Sequence, residues 1–263
     1  MKKYLVVGNP INHSLSPKLH NFWFKENNID AVYEKKELHL EEVKNLILEL
    51  KERRVSGINV TVPFKKDIIP FLDELSQESN STQSVNTIYL HKDKAIGHNT
   101  DIEGFKIAIQ NLKIDLKDKI IFIMGAGGVV PSLIFALNEM KVLKIIVSNR
   151  TKQKAENLKN LFNNISVIDW GSIPDVDMII NATSLGLKKE DSINLDFSRF
   201  KNKFFYDVIY NPKQTNFLEI GKKLGNISEN GKMMFIYQAQ AAFKIWHGVQ
   251  PKVNSQLIKL LEQ

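Results

Sequence analysis

The chain contains no cysteine, which removes disulfides, thiolate nucleophiles and thiolate metal ligands from consideration. Its six histidines show no HExxH or comparable spacing, so no metal is expected, and each reads as a surface or satisfied core residue. Long basic runs are missing too. The formal net charge is +7, yet lysines such as Lys152, Lys154 and Lys159 are scattered along helical faces, which argues against nucleic acid as a partner. A positive overall field still favours the approach of a small anionic substrate. Long apolar stretches are scarce, and the one candidate, IIFIMGAGGVVPSLIFALN over residues 120–138, has no charged residue and the length of a membrane span. Gly125, Gly127, Gly128 and Pro131 sit in its middle, where a spanning helix would lose stability. A buried strand, a tight turn and a packed helix require that order. No apolar core of sufficient length separates Met1-Lys2-Lys3 from Gly8-Asn9-Pro10, so no signal peptide, no membrane partner and a cytoplasmic location are expected.

What is present is enough for two modest domains, because 263 residues allow each its own core. The stretch around Gly125 reads as the first βα unit of a dinucleotide-binding sheet. Gly125 and Gly127 let the backbone turn and approach a pyrophosphate, toward which the next helix aims its free N–H groups. The third glycine of the usual fingerprint would fall at Val130, so a plain strand-to-helix turn fits these residues as well. A second strand over residues 144–148 ends in Asn149-Arg150-Thr151, where cofactors with a free ribose hydroxyl usually meet an acidic residue. A planar guanidinium suits a 2′-phosphate and favours NADP over NAD, although a solvated Arg150 is the plain alternative. Strands over residues 166–168, 178–181 and 204–208 continue a βαβ series, with loops Ala182-Thr183-Ser184 and Tyr210-Asn211-Pro212 at their C-terminal ends. The pattern is that of a doubly wound α/β sheet.

The N-terminal part carries its own chemistry. A strand over residues 4–7 ends at Gly8, and the loop GNPINHSLSP leads into a helix with Leu19, Phe22 and Trp23 at helical spacing. Ser16 is placed as N-cap with Pro17 at N1. Ser14, two residues earlier, can join Ser16 in holding a carboxylate there. After a strand over residues 31–35 and an amphipathic helix over 40–53 comes SGINVTVPFKKD. Ile58, Val60 and Val62 alternate with Asn59 and Thr61, which predicts a strand with one apolar and one polar face. Lys65 lies just past its C-terminal end, where open α/β sheets place ligands. Strands over residues 85–90 and 94–98 follow, the first opening with Val85-Asn86-Thr87 and the second running into GHNTDIEG. Asp101 starts a helix over 102–112, where a carboxylate suits the helix dipole and can serve as N-cap. From Gly231 a helix, KMMFIYQAQAAFKIWHG, precedes a last helix over 253–261. Gln238 and Gln240 are two residues apart and face different directions, so only one of them reaches a site.

Taken in order, GNPINHSLSPKLHN, GINVTVPFK, SVNT, GHNTDIEG, GAGG, NRT, NATSLGL, YDVIYNP and GKMMFIYQAQAAFKIWHG resemble the shikimate dehydrogenase family over nearly the whole chain. These are NADP-dependent enzymes of aromatic amino-acid biosynthesis. The resemblance implies an N-terminal α/β substrate-binding and catalytic domain, residues 1–101 completed by 232–263, and a Rossmann-type NADP-binding domain, residues 102–231. It implies that Ser14 and Ser16 bind the substrate carboxylate, that Asn59, Thr61, Asn86 and Gln238 contact ring hydroxyls with Tyr210 also on the substrate side, and that Lys65 and Asp101 are the catalytic pair. Gln238 takes this role over Gln240 because it lies five residues before Phe243, as the family spacing asks. For NADP it implies Gly125, Ala126, Gly127 and Gly128 at the pyrophosphate, Asn149, Arg150 and Thr151 at the adenosine phosphate, and Thr183 and Gly231 on the path to the nicotinamide. Gln83-Ser84 and Val129-Val130-Pro131 depart from the smaller residues usual in the family, without removing a group the chemistry needs. The implied reaction is reversible reduction of 3-dehydroshikimate to shikimate by a monomer or homodimer. The alternatives are a quinate/shikimate dehydrogenase of broader specificity and a non-catalytic dinucleotide-binding sensor. A folate-linked dehydrogenase is weaker, since Ser14 and Ser16 would have no purpose there.

Overall fold

The computed structural model describes residues 1–188 and 190–262, and the chain divides into two compact units, Met1–Gly104 with Ile236–Gln263 and Phe105–Phe235. In the first unit β1 (Lys2–Gly8) is buried from Tyr4 onward, as expected of a central strand covered on both faces. It is followed by α1 (Ser16–Glu26), β2 (Ala31–Glu37), α2 (Val43–Lys51), β3 (Gly57–Val60), β4 (Glu74–Leu75), α3 (Gln77–Thr82), β5 (Thr87–His91) and β6 (Lys94–His98). The sheet runs β2-β1-β3-β5-β6-β4; β1 pairs parallel with β2 and β3, and β5 is antiparallel to both β3 and β6.

Alternation along the strands sorts the core. Leu5 and Val7 of β1 join Ile58 and Val60 of β3 and the α2 stripe Val43, Leu46, Ile47 and Leu50 in one cluster. The opposite face carries Tyr4 and Tyr33 against an aromatic layer from the C-terminal helix, where Phe243 meets Trp23 and Phe24 of α1. The polar face expected of β3 is present and is itself covered. Gly57 and Asn59 occupy that second face, and all four residues of β3 are buried, because a second helical layer covers the side that alternation alone would leave to solvent.

The second unit begins within α4 (Asp101–Asn111) and continues through β7 (Ile120–Met124), α5 (Val130–Glu139), β8 (Lys144–Ser148), α6 (Lys152–Asn157), β9 (Ile165–Ile168), β10 (Met178–Asn181), β11 (Phe204–Asp207), α7 (Asn216–Lys223) and β12 (Ile227–Asn230). The six strands are all parallel in the order β12-β11-β10-β7-β8-β9, which is doubly wound topology with its reversal between β7 and β10. The uncharged run at residues 120–138 is thus β7, a glycine turn and most of α5. Among the described residues no helix is long and apolar enough to cross a membrane. Phe122, Met124, Ile179, Phe205 and Phe217 form one core of this unit, with Phe197 and Phe200 from the loop before β11. The chain then returns to the first unit through α8 (Lys232–His247) and ends in α9 (Ser255–Leu260), whose N-cap is the Asn254 side chain.

Several sequence expectations shift. Ser16 is the first helical residue and not the N-cap, because Leu15 already has helical dihedrals and no side-chain cap. The Ser14 hydroxyl accepts the Ser16 N–H at 3.3 Å, doing the work of a cap from outside the helix. The helix expected over 40–53 is a 3₁₀ turn at Leu40–Glu42 followed by the shorter α2. α7 and β12 had no counterpart in the sequence reading. α7 buries Phe217, Leu218 and Gly221, with Ile220 packed on the same core, and β12 is an edge strand whose Ile227 is 59% exposed.

Candidate active site

Three strand ends of the first sheet converge on one buried polar cluster. Past β3, the Thr61 N–H donates to the Val7 carbonyl and leads into a tight turn, after which the Lys65 carbonyl accepts the Val85 N–H at 2.8 Å. That bond ties Lys65 to the segment holding Asn86, whose own carbonyl accepts from Val60 at 2.8 Å and whose N–H donates to His98 at 3.1 Å. Beyond β6, Asn99 Oδ1 accepts the Asp101 N–H at 3.2 Å, and Asp101 opens α4. Its carboxylate is therefore not a cap. Lys65 Nζ donates to Asp101 Oδ2 at 2.5 Å, and Asn86 Nδ2 donates to the other oxygen, Oδ1, at 2.9 Å. Lys65 is 9% and Asp101 6% exposed, a degree of burial at which a pair persists only with further hydrogen bonds. Asn86 supplies one, to Asp101 Oδ1, and its other N–H faces two acceptors, Thr100 Oγ1 at 2.9 Å and Gln238 Oε1 of α8 at 3.4 Å.

The structure therefore brings Lys65, Asp101, Asn86 and Gln238 together. Gln240 is directed elsewhere, donating to the Pro251 carbonyl at 2.7 Å. Asn59 joins the cluster through Nδ2, which donates to the Asn86 carbonyl and to Thr87 Oγ1, both at 3.0 Å, while its Oδ1 accepts from the Tyr33 hydroxyl at 2.6 Å. With these three bonds Asn59 has one acceptor lone pair left for any other group. Ser14 is half-buried and Ser16 buried at the α1 N-terminus, and Thr61 is half-buried. Tyr33, Thr87 and Thr100 were not foreseen as parts of this site. Nothing in their spacing marks them; only the side-by-side order β2-β1-β3-β5-β6 brings them in.

In the second unit, Gly125 follows β7 with φ of +116°, and a Cβ there would meet the Ala182 carbonyl oxygen at 2.6 Å. A side chain is excluded twice, by dihedral and by space. Ala126 is half-buried, Gly127 and Gly128 are exposed, and a Cβ on Gly127 would meet nothing within 4 Å. The α5 N-terminus is thus open to an anion. At the end of β8, Asn149 Nδ2 donates to the Thr151 carbonyl at 2.8 Å, closing a short turn that presents Arg150. Arg150 and Thr151 are exposed, and among the described residues the guanidinium has no hydrogen-bond or ion-pair partner. An open helix N-terminus and a free guanidinium are the donor set a dinucleotide with a 2′-phosphate needs.

Beyond β10, Thr183 donates through N and Oγ1 to Asn181 Oδ1, at 3.0 and 2.7 Å. Asn181 Nδ2 in turn donates to the buried Asp207 carboxylate at 3.1 Å. Burial pushes Asp207 up to about 6, against hydrogen bonds from Thr215, the Ile209 N–H and Asn181 that pull it down. Asn181 and Asp207 organise this loop and were missed as individual residues, although both lie in quoted segments. Gly231 packs so closely on Val208 that a Cβ would collide with its carbonyl oxygen, so this glycine has a packing reason of its own. The Tyr210 ring stacks on Phe235 at 4.4 Å.

The model of the shikimate dehydrogenase substrate-binding domain matches residues 6–88, and that of shikimate/quinate 5-dehydrogenase matches residues 106–213. A shikimate dehydrogenase (NADP(+)) of Pelagibacter ubique is 56% identical over 262 residues, covering 99% of each chain. The chain belongs to the shikimate dehydrogenase family. Its fold agrees with that of solved family structures. The shikimate dehydrogenase of Aquifex aeolicus superposes with a TM-score of 0.92 at 35% identity, covering 100% of this chain and 98% of that one. A Thermus thermophilus shikimate 5-dehydrogenase, solved in complex with NADP(H) and shikimate, gives 0.91 at 30% identity over 100% and 99%. These relatives are thus similar to this chain along nearly its whole length.

Proposed function

We propose that this chain catalyses the reversible NADPH-dependent reduction of 3-dehydroshikimate to shikimate, with Lys65 and Asp101 as the acid–base pair. The observation that carries the reading is the buried Lys65–Asp101 ion pair, held on its second oxygen by Asn86. Residues 1–101 with 232–263 bind the substrate and residues 102–231 bind NADP. Ser14 and Ser16 receive the carboxylate, while Thr61, Asn86, Gln238, Tyr210 and the remaining lone pair of Asn59 orient the ring. NADPH supplies the hydride that converts the 3-keto carbon to an alkoxide-bearing centre. Lys65 Nζ stabilises the oxygen as charge develops and delivers its proton to it; in the oxidative direction the lysine takes the proton back. Asp101 fixes the ammonium in place. Gly125, Ala126, Gly127 and Gly128 receive the pyrophosphate, Asn149, Arg150 and Thr151 the 2′-phosphate, and Thr183 and Gly231 line the nicotinamide side. We place the reaction in the cytoplasm, in a monomer or homodimer without nucleic-acid or membrane partners.

The test is absorbance of reduced nicotinamide with shikimate or quinate and NADP or NAD. Rapid reduction with shikimate and NADP alone supports the reading. Equal rates with quinate point to the broader-specificity enzyme, and absence of turnover with every pair, despite cofactor binding, points to a sensor. Arg150→Ala is expected to raise the KM for NADP about tenfold or more, the loss of a charge-assisted hydrogen bond, and to leave NAD kinetics unchanged. A variant with unaltered NADP kinetics removes Arg150 from cofactor choice.

A further inference from the structure

Asn181 and Asp207 close β10 and β11, and the parallel register sets them directly opposite each other, with their side chains on one face of the sheet. Both are fully buried, and neither has a part in the proton or hydride transfer proposed above. A buried carboxylate persists only when donors occupy its oxygens. Asp207 Oδ1 accepts the Ile209 N–H at 3.0 Å and Oδ2 accepts the Thr215 hydroxyl at 2.6 Å, while Asn181 Nδ2 reaches both oxygens at 3.1 Å. The second N–H of that amide goes to the Leu185 carbonyl, also at 3.1 Å. With both protons committed, the Asn181 amide has one orientation. Turned over, its oxygen would face a carboxylate and a carbonyl and find no donor.

Asn181 Oδ1 therefore faces the loop, where it accepts from both the N–H and the hydroxyl of Thr183, at 3.0 and 2.7 Å. The single hydroxyl proton of Thr183 is thus in use, and its oxygen also accepts the Leu185 N–H at 3.1 Å. One lone pair of that oxygen is left. It can receive a donor and has no proton to give. Thr183 is half-buried and lies beside the glycine turn, since a Cβ on Gly125 would sit 3.1 Å from its backbone nitrogen. We propose that Asp207 is a positioning residue for the cofactor: through Asn181 it holds Thr183 as a hydrogen-bond acceptor, which selects a donor on the nicotinamide half of NADP, a carboxamide N–H or a ribose hydroxyl. The proposal rests on the NADP reading above.

The test compares Kd for NADP with Kd for adenosine 2′,5′-bisphosphate, which keeps the 2′-phosphate and lacks the nicotinamide half, by calorimetry on the full chain without substrate. Asp207→Asn places an N–H2 where the carboxylate receives donors, so the Asn181 amide loses its fixed orientation. Kd for NADP is expected to rise about tenfold, the size of one net hydrogen bond, with Kd for the bisphosphate unchanged. A defect in folding weakens both ligands alike, so equal losses, or no loss for NADP, overturn the proposal. Thr183→Val keeps the side chain's shape and does not depend on Asp207→Asn folding. It is expected to weaken NADP by about tenfold as well and to spare the bisphosphate; unchanged NADP affinity overturns the proposal. In the double variant the two losses are expected not to add, because both act on one oxygen, and additive losses overturn the route through Thr183. The 3-acetylpyridine analogue of NADP has no carboxamide N–H: a Thr183→Val loss that disappears with it assigns the carboxamide as donor, and one that persists assigns the ribose hydroxyl. A wild type that binds NADP without oxidising shikimate overturns the functional reading alone, whereas one that binds no NADP overturns both.

Discussion

Lys65→Ala is expected to lower kcat for shikimate oxidation by about 100-fold or more, the usual size of a lost general acid–base group. Lys65 Nζ lies 2.5 Å from Asp101 Oδ2, in a cluster where its partner's other oxygen is already taken by Asn86. No second cation is paired with Asp101 among the described residues, so nothing stands ready to supply the proton in its place. Removing the ammonium also leaves a buried carboxylate without its counter-charge, which costs stability independently of catalysis. Lys65→Met is therefore the companion variant, because it keeps the stem and its packing. Both are expected to be slow, with Asp101→Asn intermediate, since that change retains a hydrogen-bond acceptor for Lys65 and loses only its charge. The KM for NADP, read from the second unit, is expected to stay unchanged in all three. Near-normal turnover in folded Lys65→Met would remove the lysine from the mechanism.

How much of this was legible depended on the range of the interaction. The glycine turn, the β8 end with Arg150 and the serines Ser14 and Ser16 at the start of α1 are local features, and the roles proposed for them draw on a few neighbours. Lys65 and Asp101 could each be placed at a strand or helix end, but their union depends on β3, β5 and β6 lying side by side. A motif set could imply that pairing; spacing could not. Tyr33 was legible only as part of a strand, because what brings it into the site is the register that sets Tyr4 opposite both Tyr33 and Gly57, with Asn59 within reach two residues on. The cover over the polar face of β3 was out of reach of the sequence for a related reason. Alternation says which residues share a face, whereas whether that face meets water depends on α1 and α8 packing over it. Ser16 was placed one position off because helical dihedrals begin at Leu15, a boundary that sequence signals resolve only to a residue or two.

Acid is expected to weaken the first unit, and His20 is the reason. It is fully buried, and among the described residues neither ring nitrogen has a hydrogen-bond partner. Its surroundings are Trp23, Phe24, Tyr33, Phe243 and Trp246. Burial, with a smaller contribution from nearby His247, lowers it from 6.5 to about 3. In the unfolded chain the imidazole takes up a proton as pH falls through 6.5, whereas in the fold it stays neutral until about 3. Between those values the unfolded state binds more protons, so stability present above pH 6.5 is lost progressively on acidification. At about 1.4 kcal/mol per pH unit the loss reaches about 3 kcal/mol at pH 4. His247, lowered to about 4 by burial and by Lys2, acts in the same direction. Asp207 of the second unit acts in the opposite one: its carboxyl is raised from 3.8 to about 6, so its contribution is present below 3.8 and is lost as pH rises through 6. Urea unfolding followed by tryptophan fluorescence can separate the two, since Trp23 and Trp246 report on the first unit and Trp170 on the second. The midpoint seen by the first pair is expected to fall between pH 7 and pH 4, and His20→Phe, which keeps an aromatic ring in the cage and removes the titration, is expected to flatten that fall. An acid limb equally steep in His20→Phe would assign the sensitivity to another group.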